Sequence, residues 1–412
     1  MEGICYICDA TEFLPVMKRI IISLICALTV LSAQGQSIWD IGHLRAVKES
    51  LDEPAHAAAL KTLLAKAEMM MKAEPLSVMM KAKVPASGDR HDYMSLARYF
   101  WPDPAKPDGL PYINRDGHSN PELKELDRER LGETAERVTY LSLAYYFTDD
   151  ERYAQKAVSF LRTWFMDEDT RMNPNLEYAQ MIPGHNGGKG RCYGILDTYS
   201  FVEMLDAVAL LEASEAFTDE DSRALKRWFG ELLEWILASP QGQEEAAAAN
   251  NHGTAYDAQV IAFAMYAGRE DIARNIIGEF PSRRTFTQIA PDGSQPHELS
   301  RTLAYHYSHY NLTHFIDIFL MAGKLGLDID DAASEDGRSF YKALDFLVPY
   351  ISEGGEDLWP YEQIHGFDDV SRELCKDLYR VAIRLDPSRK DYLEIFRRYA
   401  DVAPDDLFNL LY

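Results

Sequence analysis

Cysteine is scarce in this chain, which narrows the chemistry that it can perform. Only 5 of the 412 residues are cysteines, and Cys5, Cys8 and Cys26 all lie near the start. Cys192 and Cys375 remain, and neither has a partner at CxxC spacing, so a thiol-redox centre or a zinc ribbon is not predicted. These two residues either form one disulfide or stay as free thiols.

Positive charge is also in short supply. Lys and Arg total 42 against 66 Asp and Glu, which gives a formal net charge of -24. Such a chain is poorly suited to binding nucleic acid or an anionic membrane surface through charge alone. A polyanionic substrate would need a local basic cleft.

Long apolar runs are missing after the first 35 residues. Lys18 and Arg19 precede an apolar stretch at 20–32, and Ala33-Gln34-Gly35 provides the small residues of a signal-peptidase site. The stretch is too short to span a membrane. This pattern predicts a secretory signal peptide.

The acidic residues before Lys18 do not suit a secretory leader, so we expect Met17 to be the natural start. Residues 1–35 are then an upstream extension plus a cleaved signal peptide, and residues 36–412 form a single domain. We expect that domain to be periplasmic or secreted, without insertion into the membrane.

Helical periodicity dominates the rest of the chain, and alternating strand-like runs are few. Turn residues such as Thr218-Asp219-Glu220-Asp221 precede helical segments as N-cap candidates. Short helices joined by short loops predict an all-α fold, and an (α/α) toroid of about six to seven helical hairpins is its natural closed form. Apolar residues recur at three- and four-residue spacing in 57–72, 135–147, 153–165, 198–211, 222–238, 255–267, 271–280, 303–325, 340–351 and 370–385.

Four loops at 91–120, 171–191, 250–257 and 291–311 interrupt this pattern and are rich in Asn, Gly, His and Tyr. Loops of this kind on a helical scaffold usually carry function. They contain HDYMSLARYFWPDP, NPNLEYAQMIPGHNGGKG, NNHGTAYD and PDGSQPHELSRTLAYHY. These motifs resemble, in the same order, the signature blocks of the bacterial alginate-lyase domain family of polysaccharide lyases, nearest to its branch thirty-eight.

The resemblance runs from about residue 40 to about residue 385. It implies an (α/α) toroid and a lyase that cleaves 4-linked uronic-acid polymers by β-elimination, above all alginate as poly-β-D-mannuronate. The products would carry 4,5-unsaturated uronate ends. No cofactor is expected. The expected partner is an anionic polysaccharide, and nothing in the sequence specifies an oligomeric state.

Elimination removes the proton at C5 and protonates the departing O4. Negative charge builds up on the neighbouring carboxylate, so a lyase needs neutral or cationic donors there, together with a base and an acid. The resemblance places these donors at Asn251, His252 and Arg301 and assigns the acid and base to Tyr307. Tyrosine has an ordinary pKa of about 10, which we expect a nearby arginine and imidazole to lower.

One phenol can serve as both base and acid when H5 and O4 lie on the same face of the sugar, as in β-D-mannuronate. His252 is the alternative base for the epimer. The choice of tyrosine also depends on local structure, because Tyr305 would share a face with Arg301 in an uninterrupted helix. Tyr307 requires Arg301 to precede the helix, as Pro296 permits, or donors that converge from different turns. The family pattern favours Tyr307, followed by Tyr305 and Tyr310.

Other polar and aromatic residues of these blocks are expected to bind neighbouring sugars. A stacking wall is expected from His91, Tyr93, Arg98 and Trp101. A metal site is not expected, because His306, His309 and His314 have no carboxylate at a matching position and HExxH is absent. The substrate-binding candidates are Asn175, Tyr178, Gln180, His185, Asn186, Lys189, Arg191, Tyr256, Tyr305 and Trp101.

Three other functions fit parts of the sequence. A glycoside hydrolase on a similar toroid would use a carboxylate pair such as Asp197 and Asp257. A heparinase-like lyase would share the chemistry but normally carries a large β-sandwich. A non-catalytic glycan-binding protein usually has a lipid-anchored cysteine after its signal, and none stands there.

Overall fold

The computed structural model describes residues 38–412, and α-helices make up most of this part. The predicted leader therefore lies outside the described residues, and the boundary after residue 35 stays a prediction. The helices are α1 (Ile41–Glu49), α2 (Pro54–Met70), α3 (Asp127–Thr148), α4 (Glu151–Leu161), α5 (Phe201–Leu211), α6 (Asp219–Ala238), α7 (Pro240–Ala246), α8 (Asn251–Tyr266), α9 (Glu270–Phe280), α10 (Phe286–Gln288), α11 (Pro296–Leu299), α12 (Ala304–Lys324), α13 (Phe340–Leu347), α14 (Gly355–Leu358), α15 (Phe367–Arg384), α16 (Lys390–Tyr399) and α17 (Phe408–Leu411).

Several short turns connect these helices. Two of them are π-helical, at Arg162–Met166 and Pro281–Thr285. The others are 3-10 turns at Val78–Met80, Pro121–Glu125, Asn186–Gly188, Cys192–Thr198 and Val348–Ile351.

The helices form an inner and an outer layer. Inner helices contact one another in the order α3, α5, α8, α12 and α15, and α2, α4, α6, α9, α13 and α16 pack against them from outside. Helix α8 is surrounded most completely, because 14 of its 16 residues are buried. Since an apolar helix face must be covered by another element, this arrangement is the predicted (α/α) toroid, which the structure confirms.

The two ends of the described chain meet and complete the array. The backbone N–H of Trp39 donates to Asp206 of α5 at 2.9 Å, and Arg384 of α15 lies 3.6 Å from Asp40. Helix α17 packs on α1 and α2. The segment before α1 therefore bridges α5 and α15 of the inner layer.

Helix α6 illustrates why these sequences fold as helices. The sequence predicted N-cap candidates at its start, and Thr218 and Asp221 form a capping box there. Its buried residues recur at helical spacing, and burial of side chains as large as Trp228 and Phe229 contributes about 1.5–3 kcal/mol each. The N-cap signal and the periodic apolar residues therefore predict the same helix.

The few strands belong to two of the polar loops. Strand β1 (Met94–Leu96) pairs in parallel with β4 (Tyr178–Met181), and β2 (Phe100–Trp101) pairs in antiparallel fashion with β3 (Ile113–Asn114). The first loop is tied to the start of α3 by Asp127, which accepts from the Met94 backbone at 3.0 Å. Lys81 lies 3.0 Å from the same carboxylate, with both side chains fully buried. Loss of either partner would leave an unpaired buried charge, at a cost of about 3–5 kcal/mol.

Two questions left by the sequence are answered here. Cys192 and Cys375 are both buried free thiols, so they do not pair. Within residues 38–412, none of the helices has the length and apolar character that crossing a membrane requires.

Candidate active site

A cavity of about 730 Å³ lies where the two polar loops meet the inner helices. Its size falls in the usual range for ligand sites. The lining residues are Arg98, Tyr99, Phe100, Asn114, Asp116, Arg128, Gln180, Arg191, Tyr193, Leu196, Asn250, Asn251, His252, Arg301, His306, Tyr307 and Tyr310.

The charge of this cavity is opposite to that of the chain. Its lining contains four arginines, and Asp116 is the one carboxylate there among the described residues. Arg128 forms an ion pair with Asp197, and Arg301 with Asp116. Arg98 and Arg191 have no ion-pair partner within residues 38–412, so they remain available to an anionic ligand. This is the local basic cleft that a polyanionic substrate requires.

Asn251 begins α8 and is clamped by a buried acid. Its backbone N–H and its Nδ2 each donate to a different oxygen of Glu298, both at 2.7 Å. Burial raises the pKa of Glu298, and the two hydrogen bonds from Asn251 oppose that rise. The clamp fixes the orientation of the Asn251 amide and leaves its second N–H for another acceptor.

His252 follows at the open end of the same helix. Its Nδ1 lies 2.6 Å from Oε1 of Glu245, a residue that is only 1% exposed. The imidazole also packs on the Tyr193 ring, with 4.3 Å between the ring centroids. These contacts occupy Nδ1 and one ring face, while His252 itself lines the cavity.

Arg301 lies in the turn between α11 and α12, so the helix that carries Tyr307 starts after it. Of the two arrangements that would allow Tyr307 and Arg301 to meet, the structure has the one in which Arg301 precedes the helix. The guanidinium lies 3.8 Å from the centre of the Tyr307 ring and donates to Asp116 at 2.7 and 3.3 Å. Although burial would raise the pKa of Asp116, the Arg301 hydrogen bonds hold it below its usual value.

The hydroxyl of Tyr307 lies 2.9 Å from the hydroxyl of Tyr99. Burial raises the pKa of the Tyr307 phenol, Tyr99 adds to the rise, and Arg301 opposes it. Arg301 lowers this pKa, as expected, but burial outweighs the guanidinium and leaves the pKa of the phenol above its ordinary value. Tyr307 is therefore a neutral phenol before substrate arrives.

A sequence model described as alginate lyase matches residues 77–359. The chain belongs to the alginate lyase family. A crystal structure of an alginate lyase from Bacteroides ovatus is 48% identical, with a TM-score of 0.90, over 92% of this chain and 99% of that chain. No curated protein sequence gives a significant match.

Two more distant structures share the fold of this alginate lyase family member. Alginate lyase A1-III from Sphingomonas species A1 is 16% identical with a TM-score of 0.55, over 87% of this chain and 96% of that one. A variant of A1-III complexed with tetrasaccharide is 15% identical with a TM-score of 0.55, over 88% and 96%.

Gln180 and Arg191 are the predicted sugar-binding residues of the alginate lyase blocks that line the cavity. The Gln180 Oε1 accepts from Arg191 at 3.1 Å, and its Nε2 donates to Asp197 at 2.9 Å. The guanidinium of Arg191 lies 5.0 Å from the Phe100 ring and 4.6 Å from the Tyr193 ring. These contacts build one basic and aromatic wall of the cavity.

The structure corrects the expected sugar contacts of Tyr305 and Tyr256. Tyr305 is fully buried and stacks on Phe367, with 4.3 Å between ring centroids. Tyr256 is 4% exposed and belongs to the hydrophobic core. Neither ring lines the cavity, because each turns to the packed side of its helix. Of the three candidate tyrosines, Tyr307 and Tyr310 line the cavity, and Tyr307 is the one whose ring lies against Arg301.

Three other candidates form structural contacts outside the cavity lining. Asn175 donates to Asp92 at 3.1 Å, and Tyr178 lies in a small hydrophobic cluster. The indole N–H of Trp101 donates to the His118 carbonyl at 2.9 Å. These three residues do not line the cavity, and their expected contacts with neighbouring sugars stay a prediction.

The glycine-rich turn also lies away from the cavity lining. His185 and Asn186 are exposed there, and exposed Lys189 pairs with Glu177 at 2.7 Å. None of the three lines the cavity, so their expected contacts with neighbouring sugars stay a prediction. Among the expected stacking residues, Arg98 lines the cavity, whereas buried Tyr93 donates to Asp197 and His91 contacts the Arg171 carbonyl.

Several residues that line the cavity were not predicted from the sequence. Tyr99 and Phe100 lie inside a quoted block, and Asn250 directly precedes Asn251, so their positions in the motifs were the available signal. Asn114 and Asp116 lie in the polar loop 91–120, although outside its quoted motif. Arg128 and Tyr193 carried no signal, because only the folded chain brings them to the site.

The carboxylates considered for hydrolysis do not form a facing pair. Asp197 is buried and accepts from Arg128, Ser95 and other donors. Asp257 is fully buried beside Arg284, which donates to it at 2.7 Å. Each acid is thus held by arginine away from solvent, whereas hydrolysis needs two acids that flank the bond.

Proposed function

We propose that this protein is an alginate lyase that cleaves poly-β-D-mannuronate by β-elimination and leaves 4,5-unsaturated uronate ends. The observation that carries this proposal is the convergence of Asn251, His252, Arg301 and Tyr307 on one basic cavity. Family membership and the similar Bacteroides ovatus alginate lyase support it. So does the tetrasaccharide complex of the A1-III variant, as an example of an oligosaccharide ligand on this fold.

The three donors act on the carboxylate beside C5. Arg301 supplies a fixed cation, because Asp116 and the Tyr307 ring hold its guanidinium. His252 supplies Nε2, and Asn251 supplies the N–H that Glu298 does not take. Donors that are already oriented stabilise the developing charge without reorganisation during the reaction.

Tyr307 carries the proton in the mannuronate reaction. Its phenolate takes H5, the C4–C5 double bond forms as the C4–O4 bond breaks, and the phenol returns the proton to O4. Each turnover regenerates the phenolate. Arg301 favours that anion, whereas burial opposes it, so substrate binding must help to release the first proton.

The protonated state of Tyr307 also supports a second division of roles. When H5 and O4 lie on opposite faces, as in the epimer guluronate, His252 Nε2 serves as the base and the neutral Tyr307 phenol serves as the acid. The contact of Glu245 with Nδ1 leaves Nε2 for this task. Cleavage of mannuronate would thus depend on Tyr307 as the base, whereas cleavage of guluronate would depend on His252 as the base.

Export is proposed as well. The charged start, apolar stretch and small residues of segment 1–35 support cleavage before residue 36 and a periplasmic or secreted enzyme. The N-terminal sequence of protein recovered from the producing cell decides this. An N-terminus at residue 36 supports export, whereas a retained leader contradicts it.

A substrate panel tests the reaction. Poly-mannuronate, poly-guluronate, glucuronan and hyaluronan are incubated with the protein, and the absorbance of the 4,5-unsaturated uronate is followed. Poly-mannuronate should give a strong signal. New reducing ends without that absorbance would indicate hydrolysis, and binding without either would indicate a non-catalytic protein.

A further inference from the structure

The helix that carries Tyr307 begins without a capping side chain of its own. Leu303 occupies the N-cap position of α12 and makes no side-chain hydrogen bond to the helix. Ser, Thr, Asp or Asn usually stands at this position, because the first backbone N–H groups of a helix have no partner within it. The start of α12 therefore depends on acceptors from elsewhere in the chain.

Residues 362–365, called here the capping segment, provide these acceptors. A backbone carbonyl of this segment accepts from the Ala304 N–H at 2.9 Å. The Gln363 Oε1 accepts from the N–H groups of Tyr305 and His306 at 3.0 and 3.3 Å. These three are the first N–H groups of α12. One amide oxygen thus caps the helix from 58 positions further along the chain.

The Gln363 amide is held in the orientation that capping requires. Its Nε2 donates to the His365 carbonyl at 2.7 Å, so the oxygen is the atom that faces the helix. An isolated antiparallel bridge pairs Gln363 with Leu303, and the Ile364 N–H donates to the Thr302 carbonyl at 3.1 Å. The backbone of the capping segment is therefore fixed against the residues that lead into α12.

The same segment packs on the loop that anchors Arg301. A Cβ on Gly117 would lie 2.8 Å from the Ile364 side chain, so the two backbones approach closely there. The neighbouring Asp116 accepts from the Thr302 hydroxyl at 2.9 Å. The capping segment thus touches both the loop that holds Arg301 and the helix that carries Tyr307.

The first turn of α12 sets the position of Tyr307. The Tyr307 N–H donates to the Leu303 carbonyl at 2.9 Å. Its ring lies 3.8 Å from the Arg301 guanidinium, and its hydroxyl lies 2.9 Å from that of Tyr99. A helix end without partners for its N–H groups frays readily, and fraying of this turn would disturb all three contacts. Gln363 does not line the cavity, so any effect on the reaction must pass through this turn.

We propose that Gln363 is a positioning residue, which caps α12 from a distant segment and thereby holds Tyr307 against Arg301 for proton transfer. This inference rests on the proposed lyase function. A proton carrier must stay close to its target atoms, and a displacement of about 1 Å can cost a large factor in rate. The acceptor oxygen of Gln363 is the atom on which this role depends.

Four variants separate the acceptor from a general effect on stability. Gln363→Met keeps the length of the side chain but removes the acceptor, and Gln363→Asn is a second loss variant that is one methylene shorter. Gln363→Glu keeps an acceptor, and its charge suits a helix N-terminus. Thr218→Ala is the matched control, because it removes the cap of α6, which has no residue in the cavity lining. Gln363→Met and Thr218→Ala should lower the thermal unfolding temperature by similar amounts.

The first readout does not depend on turnover. Hydrogen–deuterium exchange is followed by mass spectrometry on peptides that cover residues 303–310. Gln363→Met and Gln363→Asn should exchange there about 10-fold faster than the wild type, and Gln363→Glu should restore protection. Thr218→Ala should leave these peptides unchanged and speed exchange at the start of α6 instead. Unchanged exchange over 303–310 in both loss variants would overturn the inference.

The second readout is steady-state kinetics on poly-mannuronate. Gln363→Met should lower kcat by about 10-fold and change KM less, because the carboxylate donors stay in place. Gln363→Glu should restore kcat, while its negative charge should raise KM for a polyanion. Thr218→Ala should match the wild type in both constants.

Three kinetic results would contradict the positioning role. They are a wild-type kcat in Gln363→Met, a Gln363→Glu variant as slow as Gln363→Met, and an equal loss of kcat in Thr218→Ala. If the wild type yields unsaturated ends from no polymer, the proposed function fails by itself. The exchange experiment then still decides whether Gln363 holds the first turn of α12.

Discussion

The guanidinium of Arg301 lies 3.8 Å from the centre of the Tyr307 ring, with Asp116 as its anchor on the opposite loop. Arg301 occupies a turn, and Tyr307 lies in the first turn of α12, so the break before Ala304 brings the two together. In the proposed mechanism, this contact joins the charge that neutralises the uronate to the phenol that moves its proton. The break before Ala304 also explains why Tyr305, one helical turn from Arg301 by sequence, does not meet Arg301 at the cavity.

Tyr307→Phe tests the proton carrier. The change keeps the ring over Arg301 but removes the group that exchanges a proton, so turnover of poly-mannuronate should collapse while binding persists. Tyr305→Phe is the matched control from the same helix, because that phenol lies in the core at 3.5 Å from Ser371. Steady-state kinetics and polymer binding measure both. A dead Tyr305→Phe beside an active Tyr307→Phe would reverse the assignment.

Arg301→Ala tests carboxylate neutralisation. Loss of this donor should cost about 2.7–4 kcal/mol of transition-state stabilisation, measured as kcat/KM. Arg301→Lys should recover only part of it, because a lysine cannot reproduce the two contacts with Asp116 and the stacking on Tyr307. Arg152→Ala, which removes an exposed arginine paired with Asp150, serves as the control. Near-normal kinetics of folded Arg301→Ala would refute the role.

His252→Ala on two polymers separates donor from base. On poly-mannuronate it should also cost about 2.7–4 kcal/mol, because one carboxylate donor is lost. On poly-guluronate, if the protein cleaves it, His252→Ala should leave no measurable rate, because Nε2 acts there as the base and its loss leaves H5 with no acceptor. Equal losses on both polymers would assign His252 the donor role alone.

Removal of divalent metal tests whether side chains alone can neutralise the substrate carboxylate. Asn251, His252 and Arg301 supply the neutral and cationic donors that the carboxylate needs, so a chelator should leave the rate on poly-mannuronate unchanged. The assay compares the protein dialysed against chelator with the same sample after addition of Ca²⁺, Mg²⁺, Mn²⁺ or Zn²⁺. A large loss that one of these ions restores would contradict the prediction.

Because His314 is buried, we expect the free energy of unfolding to decrease in acid. Burial lowers the pKa of this residue to about 3, and neither ring nitrogen has a hydrogen-bond partner among the described residues. Between pH 6.5 and about 3 the unfolded chain binds a proton that the folded chain does not, so the free energy of unfolding falls as pH falls. The loss should be about 2–3 kcal/mol from pH 7 to pH 4.5.

The check is urea unfolding of the wild type and of His314→Leu at both pH values. The variant should lose much of this pH dependence, although His306, whose pKa burial lowers to about 4, contributes in the same direction. His185→Asn, at an exposed histidine, should behave as the wild type. An unchanged dependence in His314→Leu would exclude this residue as the source.

The sequence predicted the fold well because helical periodicity is a local property. Segments such as 222–238 carry their start signal and their apolar face within one stretch of chain. The residues Asn251, His252, Arg301 and Tyr307 were also found, since each lies in a distinctive motif. Tyr305 and Tyr256 were misplaced, because a residue type in a motif does not say which side of a helix faces the core.

The sequence by itself determined the helical class, the order of the polar loops and the residue types needed for uronate elimination. Only the tertiary structure decided which side chains meet. Asp116 reaches Arg301 across 185 positions, and Tyr99 reaches Tyr307 across 208. Such pairs leave no periodic signal, because long-range contacts depend on how the loops pack against the inner helices. The same packing buries the Tyr307 phenol and raises its pKa, an effect of the environment that its neighbours in sequence do not encode.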